Sequence, residues 1–395
     1  MSTLLTETPR SEAHPLLHTG AGEQRALLAL AMVDDSLPAE FYRELFSRHL
    51  NWPWIFMQAM QHRVLGFLWE GLISRNLVDA AVDAGLAKNW ITYAEQLCRA
   101  NREKNEVWLD TLERVSSAAQ ARGVPLVAIK GAALIGDIYH RGNRMLGDID
   151  TLVTRDGQGE ITALLHDLGF ERGTIDPVTS SIRPLEQKDM RFWSFHSHIA
   201  PKFTLATGKP SVPFVRLAIG FDFYDPHDDH AVPSEAVVAR RKSRAPDSAI
   251  EVTDEADTIL NLCAHIYREG ISATFGYAGE NWGLWKFCDL RTYLLRHDSP
   301  ALRGLVADRV RELGLERPHH YALHYLQQLY GDRELKAWAD LCDPGPNLAF
   351  LEEMVDGNRR VPYRRPFADK LFDFSRIVLP GLEPAWAKQM GERWW

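Results

Sequence analysis

The chain has 395 residues, a formal net charge of −8, 45% hydrophobic and 25% charged residues, and four cysteines. That length allows two or three domains that each bury a core, and the ordinary composition excludes a fibrous or disordered chain. The acidic balance, with no basic run longer than Arg240-Arg-Lys-Ser-Arg244, argues against nucleic acid as a partner, and no apolar stretch approaches the roughly 18 residues of a membrane span.

Residues 1–23 are polar and carry Pro and Gly, which predicts a flexible N-terminus. Met1-Ser-Thr-Leu-Leu shows no charged segment leading into an apolar core, so no secretory leader is expected. The scattered cysteines Cys98, Cys263, Cys288 and Cys342 form no CxxC and read as free thiols of a cytoplasmic protein. Over residues 24–121, apolar residues recur at helical spacing, as in Trp108-Leu-Asp-Thr-Leu-Glu-Arg-Val115, which predicts a helical domain.

Residues 122–235 hold the strands. Pro125-Leu-Val-Ala-Ile129 reads as a strand that runs into a Lys130-Gly131 turn, with helical spacing from Ala132 to Tyr139. The N–H groups of such a turn suit a phosphate. The turn is neither a P-loop nor a dinucleotide fingerprint, because the required glycine patterns are missing. Lys130 could contact a triphosphate or form an ion pair, and Ala132 offers a phosphate only its backbone N–H.

In Met145-Leu-Gly-Asp-Ile-Asp-Thr-Leu-Val153, Asp148 and Asp150 lie two residues apart in a strand-like run. Side chains alternate across a strand, so both carboxylates share a face about 7 Å apart. Such a pair fits a solvated strand edge or strand-to-loop exit, or, with like charges that close, a cation site, where Mg²⁺ prefers one or two carboxylates plus substrate phosphate oxygens. Gly147 leaves room for a ligand, and Arg144 could reach a phosphate or brace the dyad.

Gly157 to Gly169 reads as an amphipathic helix. His196 and His198 alternate on one segment and read as pocket lining rather than zinc ligands, with Lys202 just beyond as a pyrophosphate contact. Phe214-Val-Arg-Leu-Ala-Ile-Gly-Phe-Asp-Phe-Tyr224 reads as a strand with one acid, Asp222. An acid among apolar residues needs a cation or a base role, and Asp225 is the fallback. From 236 to 395 helical patterns return. There His265 and Asp289 read as structural partners, and Trp282 as a loop aromatic able to stack on a base.

Ile129-Lys-Gly-Ala-Ala-Leu134, Ile138-Tyr139, Arg144 and Gly147-Asp-Ile-Asp-Thr-Leu-Val153 together resemble a bacterial nucleotidyltransferase family of the DNA polymerase β-like superfamily. Trp52 with His62-Arg-Val-Leu65 resembles that family's N-terminal helices. Asp254 through His265 and Trp285-Lys-Phe-Cys-Asp289 resemble its C-terminal ones. The resemblance implies an α+β fold, a small mixed β-sheet core between helical domains, and two Mg²⁺ (or Mn²⁺) ions on three carboxylates. These would be Asp148, Asp150 and, matched to an apolar-Asp-apolar strand, Asp222. It departs at Gly131-Ala132, where the superfamily has Gly-Ser or Gly-Gly, and at Asp222-Phe-Tyr-Asp225, where the family continues Asp-Leu-His-Trp.

The expected reaction moves an NMP from an NTP to a small hydroxyl- or phosphate-bearing acceptor with release of pyrophosphate. Asp148, Asp150 and Asp222 would be catalytic. Lys130, Gly131, Ala132, Arg144, Gly147, His196, His198 and Lys202 would bind the nucleotide. Two alternatives stand beside it: nucleotide modification of a protein or tRNA, and a non-catalytic nucleotide-binding scaffold.

Overall fold

The structure, a computed structural model, describes residues 15–34, 36–176, 178–186, 200–224, 232–357 and 359–375. It is an α+β protein whose mixed sheet stands between helical layers. Of the expected site residues, His196, His198 and Asp225 lie outside the described residues.

Among the described residues the main helices are α1 (Gly22–Ala31), α2 (Trp52–Gln61), α3 (Leu65–Ser74), α4 (Lys88–Ala121), α5 (Lys130–Leu134), α6 (Gln158–Asp167), α7 (Glu255–Ile271), α8 (Leu284–His297), α9 (Pro300–Leu313) and α10 (Glu316–Tyr330). The strands are β1 (Val127–Ala128), β2 (Ile149–Leu152), β3 (Glu171–Asp176), β4 (Ser181–Pro184), β5 (Phe203–Ala206), β6 (Phe214–Gly220), β7 (Asp222–Tyr224), β8 (Val232–Pro233), β9 (Lys242–Ser243) and β10 (Glu251–Val252). Eight of them form one sheet in the order β4-β3-β5-β6-β2-β1-β10-β9, and β7 pairs with β8 apart from it. β2 runs parallel to β6 and antiparallel to β1, and β1 runs parallel to β10.

Strand alternation divides the sheet into two unlike faces. Ala128, Ile149, Phe203, Leu217 and Ile219 point to the back, where they form a core with α4 and with Ile161, Leu164 and Leu165 of α6. The 34-residue α4 presents Trp108, Leu109, Leu112, Val115 and Ala119 at helical spacing to that core. Trp108 Nε1–H donates to the Phe214 carbonyl at 2.9 Å, tying the helix to the start of β6.

On the front face, Val127, Ile129 and Leu152 belong to a second core. That core unites Leu27, Trp52, Phe56 and Phe67 of the N-terminal helices with Ile259, Leu290 and Leu326 of the C-terminal ones. The helical segments on either side of the central region therefore pack as one body, and β9 and β10 carry the sheet past residue 235. Chain order separates these helices, while burial of their shared apolar stripes joins them.

The helix expected over Ala132–Tyr139 stops at Leu134. Gly136 takes φ 94°, a left-handed conformation that glycine adopts at no steric cost, and its N–H bonds to the Tyr139 carbonyl at 2.8 Å.

Candidate active site

The site lies on the front of the sheet, where β2 begins beside the β1–α5 turn. Ile129 N–H donates to the Asp150 carbonyl at 3.0 Å, which fixes the turn against β2. The next residue, Lys130, has φ 53°, sterically costly for a residue with a Cβ. The strained residue of the turn is thus the lysine and not Gly131. Gly131 serves close packing instead, since a Cβ there would lie 2.5 Å from Leu146 Cδ2. The strain aims Lys130 Nζ at Asp150 Oδ1, 2.9 Å away, and from β5's approach Lys202 Nζ reaches Asp148 Oδ2 at 2.5 Å.

Both carboxylates are half-buried, with side chains about a quarter accessible: 22% for Asp148 and 25% for Asp150. Burial raises the Asp150 carboxyl above the usual carboxylate range; Lys130 opposes this, while the charge of Asp148 adds to it. Burial also acts on Asp148, but Lys202, then Lys130 and Arg216, outweigh it and hold that carboxyl low. Arg216 belongs here by register: Ile149 pairs with Leu217, which sets Asp148 level with Arg216 on the adjacent parallel strand. Asp148 Oδ1 and Asp150 Oδ2 accept no hydrogen bond from the described residues.

The same register separates Asp222 from the dyad. Asp150 lies opposite Ala218, and Asp222 follows four residues later, roughly 13 Å along an extended chain. Asp222 is in β7, with Oδ2 at 2.5 Å from Arg155 Nη2. Its acid pairs with an arginine beyond the far end of β2, and in this structure it stands apart from the dyad. Among the described residues no group of three His, Cys, Asp or Glu side chains converges on a metal position.

Arg144 is a brace and does not line the cleft. It is buried, and its Nε and Nη2 each lie 2.9 Å from an Asp289 oxygen while Trp285 stacks at 4.1 Å. Its own carbonyl accepts from Asn101 Nδ2 at 3.1 Å and Asn105 Nδ2 at 2.8 Å of α4, so the loop entering the dyad is held from two sides. The expected pairing of His265 with Asp289 is replaced by two separate pairs. His265 Nε2 meets Glu269 Oε1 at 2.9 Å, Glu269 also binds Lys286, and Asp289 belongs to Arg144.

Ala132 is buried in the back core, away from the cleft. Gly147 is exposed, and a methyl group added there would lie 3.2 Å from Arg63 Nη1. Trp282 is buried, packed between Tyr325 and Phe367, and is not a base-stacking loop residue.

Sequence reasoning missed three cations near the dyad. Arg216 stands in the strand that was read for Asp222. Lys104 Nζ donates to the Leu146 carbonyl at 2.7 Å, its ammonium pulled down to about 8 by burial and by the charges of Arg144 and Arg63. Arg63 lies within the His62-Arg-Val-Leu65 resemblance, the one signal that pointed to it.

A family model described as "Uncharacterised nucleotidyltransferase" matches residues 48–331. A search of curated proteins gave no match. Since the matched region runs from before α2 to the end of α10 and takes in the dyad, both lysines and the helices in front of them, this chain belongs to that nucleotidyltransferase family.

Proposed function

We propose that the protein transfers a nucleoside monophosphate from a nucleoside triphosphate to a small acceptor bearing a hydroxyl or phosphate, with Mg²⁺ or Mn²⁺ held by Asp148 and Asp150. The observation that carries this reading is the charge balance of the cleft. Lys130, Lys202 and Arg216 surround two carboxylates, leaving an excess of cations suited to a polyphosphate. The dyad's donor set fits a hard cation, with one oxygen of each carboxylate bonded to no described residue and oxygen as its preferred ligand.

In the reaction, the acceptor oxygen bonds to the α-phosphorus, a hydroxyl acceptor giving up its proton to solvent, the bond from that phosphorus to the bridging oxygen breaks, and pyrophosphate leaves with the electron pair. The metal, when bound, supplies positive charge to the triphosphate and lowers the pKa of a coordinated oxygen. Lys130 and Lys202, paired with the carboxylates here, would bind phosphate oxygens, and Asp148 and Asp150 would hold the cation. The strained backbone at Lys130 keeps its ammonium on the reacting side. The acidic chain favours a small acceptor over nucleic acid.

Calorimetric titration of ATP, GTP, CTP and UTP, with Mg²⁺ or with EDTA, tests the site before the acceptor is known. One nucleotide should bind only with Mg²⁺, and Asp148→Asn/Asp150→Asn should weaken it at least about 30-fold, the worth of roughly 2 kcal/mol. Binding that ignores both metal and substitution would show the dyad to be structural. The absence of a third acid at the dyad among the described residues favours a second reading, nucleotide binding without turnover. A metal-dependent complex that releases no pyrophosphate with any acceptor tried would support that second reading.

A further inference from the structure

We propose that Arg63, contributed by the helical body, grips the substrate's phosphate chain from the side opposite Lys130. The inference rests on the nucleotidyltransferase reading and names a residue which that reading does not contain. Among the described residues four non-glycines have positive φ: Arg63, Asn76, Lys130 and Ser180. Two of the four are long cations: Lys130 pairs with Asp150, and Arg63 reaches over Gly147, the residue before Asp148. Arg63, at φ 54°, is the residue just past the end of α2, where Val64 N–H bonds back to the Ala59 carbonyl at 2.8 Å. Glycine is the usual occupant of such a helix end because it adopts the left-handed conformation freely.

Arg63 stands beside other cations, with one distant acid among the described residues. Its Nη1 overhangs Gly147, the residue before Asp148. Its charge weighs on two buried ammonium groups, Lys104 and Lys286. Its acidic partner among the described residues is Glu280, with Nη2 3.9 Å from Oε1, at the outer limit of an ion pair between half-exposed side chains. A guanidinium thus stands over Gly147 with much of its donor capacity unspent. A polyphosphate, which guanidinium binds in a bidentate manner, would occupy those donors. Because Arg63 belongs to the helical body and Lys130 to the sheet, a phosphate chain held by both would bridge the two layers.

The test compares the full-length wild type with Arg63→Gly and Arg63→Lys, using inorganic tripolyphosphate, the NTP identified above and its NMP, all with Mg²⁺. Arg63→Gly should raise the ligand-free melting temperature by about 1–2 °C, since glycine removes the backbone strain. It should weaken tripolyphosphate and NTP about 10- to 100-fold, as expected for lost charged hydrogen bonds, and leave the NMP unchanged. Arg63→Lys should recover part of that affinity. A lowered melting temperature with unchanged tripolyphosphate affinity would make Arg63 a structural residue and overturn the proposal. So would a wild type that does not bind tripolyphosphate. If NTP and tripolyphosphate bind equally well to wild type and Arg63→Gly, the nucleotide reading stands and the role of Arg63 falls. If tripolyphosphate binding depends on Arg63 but no NTP binds, Arg63 keeps its role and the nucleotide reading falls.

Discussion

Arg144 and Asp289 show how a side chain chosen for chemistry can turn out to carry structure. Three short contacts join the guanidinium to a carboxylate with no solvent access, and burial pushes that carboxyl upward while Arg144 opposes the shift. Removing one member of such a pair strands the other in a dry interior. Asp289→Ala should therefore cost about 3–5 kcal/mol in denaturant unfolding, whereas Arg144→Met/Asp289→Leu should cost clearly less. Equal losses for the single and double variants would mean that the pair is worth little beyond its packing. The Asp148–Lys202 and Asp150–Lys130 pairs differ in kind, being half-open.

At the level of elements, the dyad depends on how closely α3 approaches the loop before β2. A Cβ added to Gly66 would lie 2.1 Å from the Asn143 carbonyl oxygen, a backbone atom that cannot rotate away. Gly66→Ala should therefore force α3 and the 143–147 loop apart, destabilise the protein by about 1–3 kcal/mol and weaken metal-dependent nucleotide binding as well. Melting curves and calorimetry on the same preparation would check both effects. A variant that loses stability but binds nucleotide normally would show that α3 supports the fold without positioning the dyad. On the far side of that loop, Asn101 and Asn105 make α4 a second support.

For the whole molecule, packing of the helices leaves several buried histidines neutral. Burial lowers His62 to about 3, His265 to about 3 and His319 to about 4. His62 Nδ1 also accepts the Leu284 N–H at 3.1 Å, a bond that protonation at that atom would abolish. Unfolded, each of these histidines titrates near 6.5, so from pH 6.5 down to 3–4 the unfolded chain holds more protons and stability falls. At pH 5 the loss should reach about 2 kcal/mol per histidine relative to pH 7.5, measured by urea unfolding. A stability curve flat over that range would mean that these imidazoles reach water or a proton-accepting partner. Among the described residues no helix is long and apolar enough to cross a membrane.

The sequence by itself determined the strand that carries Asp148 and Asp150, the turn with Lys130, and the α+β character, because each rests on local periodicity or on residues two apart in one strand. The same local patterns made Lys202 a candidate, though not for the carboxylate it meets. Tertiary structure decided what depends on register and on contacts distant in sequence. The parallel pairing of β2 with β6 places Arg216, not Asp222, beside the dyad, and a one-dimensional match to an apolar-Asp-apolar pattern cannot fix that offset. The pairing of Arg144 with Asp289, 145 residues away, and the approach of Arg63 to Gly147 arise only when the N- and C-terminal helices close over one apolar core. The choice between the partners available to a charge is made by burial, which no spacing of residues along the chain encodes.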